Sequence, residues 1–149
     1  MNYHHAFLIL HLVAATVWVG GHIVIATTYL PVAVKQNDPA VILNFESRYE
    51  RLGMSSLLIL VATGIVMAFD FGVYPDQWFH FDSPVENVVS AKLSLLLLTV
   101  LFAMSARFWA IPRLRSGMGI RPMAVHIISV TVIGIAMLVL GSFMRYGGI

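Results

Sequence analysis

The chain has 149 residues, 59% of them hydrophobic and 11% charged, with six histidines, no cysteine and a formal net charge of +2. A soluble domain carries about a quarter charged residues, so a water-soluble fold is excluded, in keeping with a mean hydropathy of +0.86. The absence of cysteine excludes disulfides, thiolate metal sites and Cys-ligated iron–sulfur clusters, and so small a net charge gives no reason to expect nucleic acid as a partner.

Four apolar runs reach the length of about 20 residues needed to cross a hydrocarbon core: 6–30, 53–73, 88–111 and 123–144. They predict an all-α integral membrane protein, a single domain over 1–149. The first run is longer than a signal-peptide core, and no Lys or Arg precedes it, so it reads as a retained span. Pro31 closes it. Asn37-Asp38-Pro39 marks a helix start, with Asp38 as N-cap and Pro39 at the first helical position. From there to Arg51 the pattern is amphipathic, so the second helix begins outside the lipid and runs into it. The 70–87 stretch is acidic, and Ser83-Pro84-Val85-Glu86 fits a capping box that opens the third helix. Pro112, Gly117, Gly119 and Pro122 break the chain before the fourth.

Charge sets the orientation. Lys35, Arg48, Arg51, Arg107, Arg113, Arg115 and Arg121 flank the 1–2 and 3–4 connections, whereas Lys92 and Arg145 lie towards the opposite side. The positive-inside rule then puts both termini and the acidic loop in the periplasm of a bacterium, with the protein multi-pass in the inner membrane. Short connections predict an up-down-up-down bundle.

Ionisable side chains inside a membrane span are costly and point to function. His11 and His22 both lie in the first span. They are eleven residues apart, close to a whole number of helical turns, and roughly 16 Å apart along the axis. Depth then pairs His11 with Lys92 in the outer half and His22 with His126 in the inner half. Imidazoles on facing helices are the usual means by which a membrane bundle holds haem b. His11, His22, His126 and Lys92 are accordingly axial or near-haem candidates. Ala14, Ala15, Trp18, Gly21 and Gly134 are candidates for packing against a macrocycle face, although small residues also serve plain helix packing. One haem b per chain is expected, or two stacked across the bilayer. As the alternative to haem iron, His11, His22 and His126 are candidate ligands for copper.

Other polar groups carry less. His4, His5 and His80 lie at the outer face with Asp76 and Asp82 and read as solvated. Met67, Met104, Met137 and Met144 lie within spans; thioethers suit Cu(I), but their spacing traces no path. No nucleophile–base pair, phosphate loop or carboxylate dyad is present.

His11-Leu-Val-Ala-Ala-Thr-Val-Trp18-Val-Gly20-Gly21 resembles the first helix of CopD-type copper-resistance proteins. Arg51-Leu52 followed by Val61-Ala62-Thr63-Gly64 resembles their next helix, and Ala91-Lys92-Leu93 with its leucine run the one after. The same pattern is similar to the HemJ-type protoporphyrinogen oxidases, four-helix membrane proteins that bind haem b. That resemblance singles out His11 and Lys92. His22 and His126 rest on depth alone. Arg107-Phe-Trp stands where the HemJ-type pattern has a Tyr-His ending to the third helix.

The leading expectation is therefore a haem-b-binding membrane redox protein, acting in electron transfer or a HemJ-like oxidation, with a quinone or redox protein as partner. Copper transport or copper resistance is the alternative, and an accessory subunit of a larger membrane complex is a third. A homodimer would suit so small a bundle.

Overall fold

A computed structural model describes residues 3–117 and 119–149. Among the described residues, four helices are long and apolar enough to span a membrane: α1 (Tyr3–Gln36), α2 (Ala40–Asp70), α3 (Pro84–Arg115) and α4 (Ile120–Tyr146). No strand occurs among the described residues. Leu12, Leu58, Leu101, Val125 and Val132 are exposed on the outer surfaces, as lipid-facing side chains must be. Hydroxyls that would be orphaned in hydrocarbon are satisfied on their own helix. Thr16, Ser55, Thr99 and Thr131 each donate to the carbonyl four residues back.

Two helices run past the prolines expected to end them. In α1 the segment Ile25–Tyr29 is a π-turn, and Leu30 N–H donates to Ile25 O. Pro31 then sits in the first turn of the following α-helical segment, where its missing N–H breaks nothing. The helix ends six residues later at Asn37, whose φ of 50° is left-handed. The same device recurs in α3, where the π-turn Ala106–Ala110 precedes Pro112. The first and third helices therefore extend beyond the 6–30 and 88–111 spans read from hydropathy.

Caps set the remaining boundaries. Asp38 Oδ1 accepts from Ala40 N–H at 2.9 Å, so the expected side chain serves the start of α2. The helix begins at Ala40, one residue after the expected Pro39. Ser83 Oγ accepts from Glu86 N–H at 3.3 Å. The reciprocal arm of the box is displaced by one residue, because the Glu86 carboxylate takes the Asp82 N–H at 3.3 Å.

Packing is uneven. α1 packs extensively on α2 and also on α4, and α3 packs on α4, whereas contacts between α2 and α3 are sparse. One apolar cluster joins Ile25, Leu30, Ala33, Ile42, Ala110, Leu114, Met123 and Ile127 at the end near the 1–2 and 3–4 connections. A smaller one, Trp18, Val19 and Val130, holds α1 to α4 at mid-height. At the opposite end His4 Nδ1 meets Asp70 Oδ2 at 2.7 Å, which ties the start of α1 to the end of α2. Ile149 N–H donates to Pro84 O at 3.1 Å, which ties the chain after α4 to the start of α3.

Candidate functional site

The sparse contact between α2 and α3 leaves a cavity of about 180 Å³, backed by α1 and α4. His22 from α1 and His126 from α4 both line it. The inner pair matched by depth is thus brought to one cavity, because α1 and α4 are neighbours. The Thr131 hydroxyl, whose one proton is directed at Ile127 O 2.7 Å away, also lies 3.1 Å from His22 O across that contact.

The protonation of each imidazole follows from its partners. His22 Nδ1 lies 2.8 Å from Trp18 O. A carbonyl oxygen only accepts, so Nδ1 carries the proton and Nε2 keeps a free lone pair. His126 Nδ1 likewise donates to Pro122 O at 2.8 Å. Its Nε2 lies 3.0 Å from the Ser105 hydroxyl, which can donate to it when the ring is neutral. A ring nitrogen anchored in this way is the usual outer support of a metal-binding histidine.

Aromatic residues hold the two rings. Trp18 lies 4.7 Å from His22, centroid to centroid, and Tyr49 stands edge-on at 6.0 Å. Phe102 stands edge-on to His126 at 5.6 Å. The Tyr49 hydroxyl lies 3.0 Å from Val17 O and 2.9 Å from Trp18 O. Trp18 O therefore receives both Tyr49 and His22, so Tyr49 fixes the carbonyl that fixes the imidazole. The ring reaches it because Gly21 and Gly53 offer no side chain; a Cβ on Gly21 would overlap the Tyr49 ring.

The remaining walls include the thioethers of Met54 and Met123 and the carboxylates of Glu46 and Glu50. Met123 is 6% exposed and Met54 is 52% exposed. Glu50 Oε1 pairs with Arg107 Nη1 at 2.8 Å across the gap between α2 and α3. No ion pair engages Glu46 among the described residues.

The outer pair is arranged differently. The Thr63 hydroxyl donates to Ile59 O at 2.6 Å, so it must accept from His11 Nδ1–H at 2.8 Å. The His11 ring lies over Gly64 of α2, with Cε1 3.5 Å from where a Cβ would stand. Lys92 Nζ lies beside Gly141 of α4, 3.3 Å from the corresponding point. Its charge is within electrostatic range of His11, but no hydrogen bond joins the two among the described residues.

The small residues expected beside a macrocycle contact protein side chains. Ala14, Ala15 and Trp18 are buried in the bundle. The face of Gly134 is met by Trp18 and Val19, whose nearest atoms lie 3.3 Å and 3.4 Å from its Cβ position. The Gly21 face is covered by Tyr49. Tyr49, Thr63, Ser105, Met54, Met123 and the two glutamates escaped the sequence reading. Tyr49, Thr63, Ser105 and Glu50 act through lateral contacts between helices, which periodicity does not encode. Among the described residues no three His, Asp or Glu side chains converge on a metal position.

Four long apolar helices enclosing a histidine-lined cavity define a multi-pass helical membrane protein. The chain belongs to the CopD family: the family model for copper resistance protein D matches residues 43–144, more than half of its length. The match covers Lys92, His126, Met54 and Met123 and begins after α1, so the first-helix motif that carried the resemblance lies outside it. No curated protein and no solved structure matches the chain. The family points to copper. It lends no support to haem b, electron transport or oxidoreductase activity, so the copper alternative takes precedence over the haem expectation.

Proposed function

We propose that this protein handles copper within the bacterial inner membrane, as a copper-resistance permease or delivery factor that uses the cavity lined by His22 and His126. The single observation behind this reading is that two imidazoles from different helices, each with Nδ1 anchored to a carbonyl, meet one cavity in a CopD-family chain. Neutral imidazole nitrogen is a good copper ligand, and fixing Nδ1–H leaves Nε2 as the ligand atom. His11, held by Thr63, and Lys92 form a second polar level nearer the acidic loop. There the Lys92 ammonium lies beside Gly141 of α4, and a charge at the bilayer centre costs about 2.5–3.5 kcal/mol on insertion scales.

In this reading the bundle is up-down-up-down with both termini periplasmic. The pairings of His4 with Asp70, Ile149 with Pro84 and Glu50 with Arg107 support antiparallel neighbours. The Lys and Arg distribution supports the orientation. Deletion of the gene should change copper tolerance and cellular copper content. Complementation by the wild type should restore both, and complementation by His22→Ala/His126→Ala should not. Equal complementation by the double variant would remove the cavity from the function.

A further inference from the structure

We propose that the cavity is a Cu(I)-selective site in which His22 Nε2 and the thioether sulfurs of Met54 and Met123 are the donors, with His126 Nε2 joining when Ser105 releases it. This rests on the copper reading above and adds the oxidation state and the ligands. Thioether sulfur is a soft donor that suits Cu(I) and discriminates against harder ions. Both thioethers line the same cavity as the two imidazoles, although Met54 comes from α2 and Met123 from α4. Met123 is buried beside His126, whereas Met54 stands exposed at the gap between α2 and α3.

The formal charge around the cavity is low. Glu50 is paired with Arg107, and Glu46, which has no ion pair among the described residues, lies within electrostatic range of both Arg107 and Arg115. The hard-ligand alternative is poorly served, because no three His, Asp or Glu side chains converge among the described residues. Cu(II) prefers nitrogen and oxygen donors in a tetragonal arrangement. The free Nε2 of His22 marks the first donor, since it has no hydrogen-bond partner among the described residues. His126 Nε2 is already engaged by Ser105 at 3.0 Å and enters only by exchanging that bond for the metal.

The test is anaerobic titration of the purified full-length protein with Cu(I) against a chromophoric competitor, repeated with Cu(II) and Zn(II), with X-ray absorption on the Cu(I) complex. The wild type should bind one Cu(I) more tightly than either divalent ion, with sulfur in the first shell. Substituting supporting groups around a metal commonly costs 10–100-fold in affinity, so losing the thioethers in Met54→Leu/Met123→Leu should weaken Cu(I) binding at least about tenfold. The sulfur scattering should vanish with it. Met54→Leu alone, at an exposed position, should give a smaller loss in the same direction and guards against misfolding of the double variant. Met104→Leu, outside the cavity, should bind as the wild type. Copper bound through nitrogen and oxygen alone, with both methionine variants unchanged, would overturn this site while leaving the copper reading standing. A wild type that binds neither Cu(I) nor Cu(II) would overturn both.

Discussion

Gly20 and Gly21 are adjacent, and their surroundings are opposite. A Cβ on Gly20 meets nothing within 4 Å, whereas one on Gly21 would overlap the Tyr49 ring. That ring has no slack. Its other side is close to Gly53, where a Cβ would approach Tyr49 Cε1 at 2.7 Å, and its hydroxyl is tied to Val17 O and Trp18 O. Gly20→Ala should therefore be neutral or gain up to about 1 kcal/mol, the helix-interior difference between glycine and alanine. Gly21→Ala should lose about 1–3 kcal/mol, the usual cost of overpacking a well-filled site. The loss should be coupled to Tyr49, because the three atoms nearest the new methyl all belong to its side chain. In a Tyr49→Ala background the Gly21→Ala penalty should shrink, giving a coupling energy of about 1–3 kcal/mol. Unfolding in mixed detergent micelles, followed by tryptophan fluorescence, measures all four proteins of the cycle. Equal stability of Gly20→Ala and Gly21→Ala, or no coupling to Tyr49, would refute the packing described around His22.

Thr63→Val should leave His11 Nδ1–H without its acceptor and cost between about 0.6 and about 2 kcal/mol, with Thr63→Ser close to wild type. Imidazole nitrogen NMR should show His11 as the Nδ1–H tautomer in the wild type, with that preference lost in the valine variant. The Glu50–Arg107 pair is exposed, at 45% and 66% of the side-chain surfaces. A double-mutant cycle through Glu50→Gln and Arg107→Gln should return no more than about 1 kcal/mol, reduced further by salt. Topology reporters fused after Ile149 should report the periplasm, and single cysteines at Lys35 or Arg113 should label from the cytoplasm. The reverse pattern would invert the orientation proposed from charge.

The number of spans was legible because hydropathy over about 20 residues is the strongest signal a bilayer imposes. Their lengths were not, since the π-turns before Pro31 and Pro112 let each helix absorb a residue that normally ends one. Asp38 could be read as a cap because its contact is local. Only one arm of the Ser83–Glu86 box could be read, because the Glu86 carboxylate takes the Asp82 N–H instead of the Ser83 N–H. Depth along the axis paired His22 with His126, and the neighbouring positions of α1 and α4 bring both to the lining of one cavity. The partners that fix the tautomers were beyond reach for a physical reason. Thr63, Tyr49 and Ser105 sit 52, 31 and 21 residues from the atoms they bond, and an apolar repeat carries no information about which helices touch.

Copper content of the purified protein tests the central claim most directly. Protein extracted from copper-supplemented cells should carry about one copper per chain, with no Soret absorption in the same sample. His22→Ala/His126→Ala, purified identically and equally helical, should carry none. A copper-free wild type, or a double variant that retains its copper, would contradict the assignment of this cavity as the copper site.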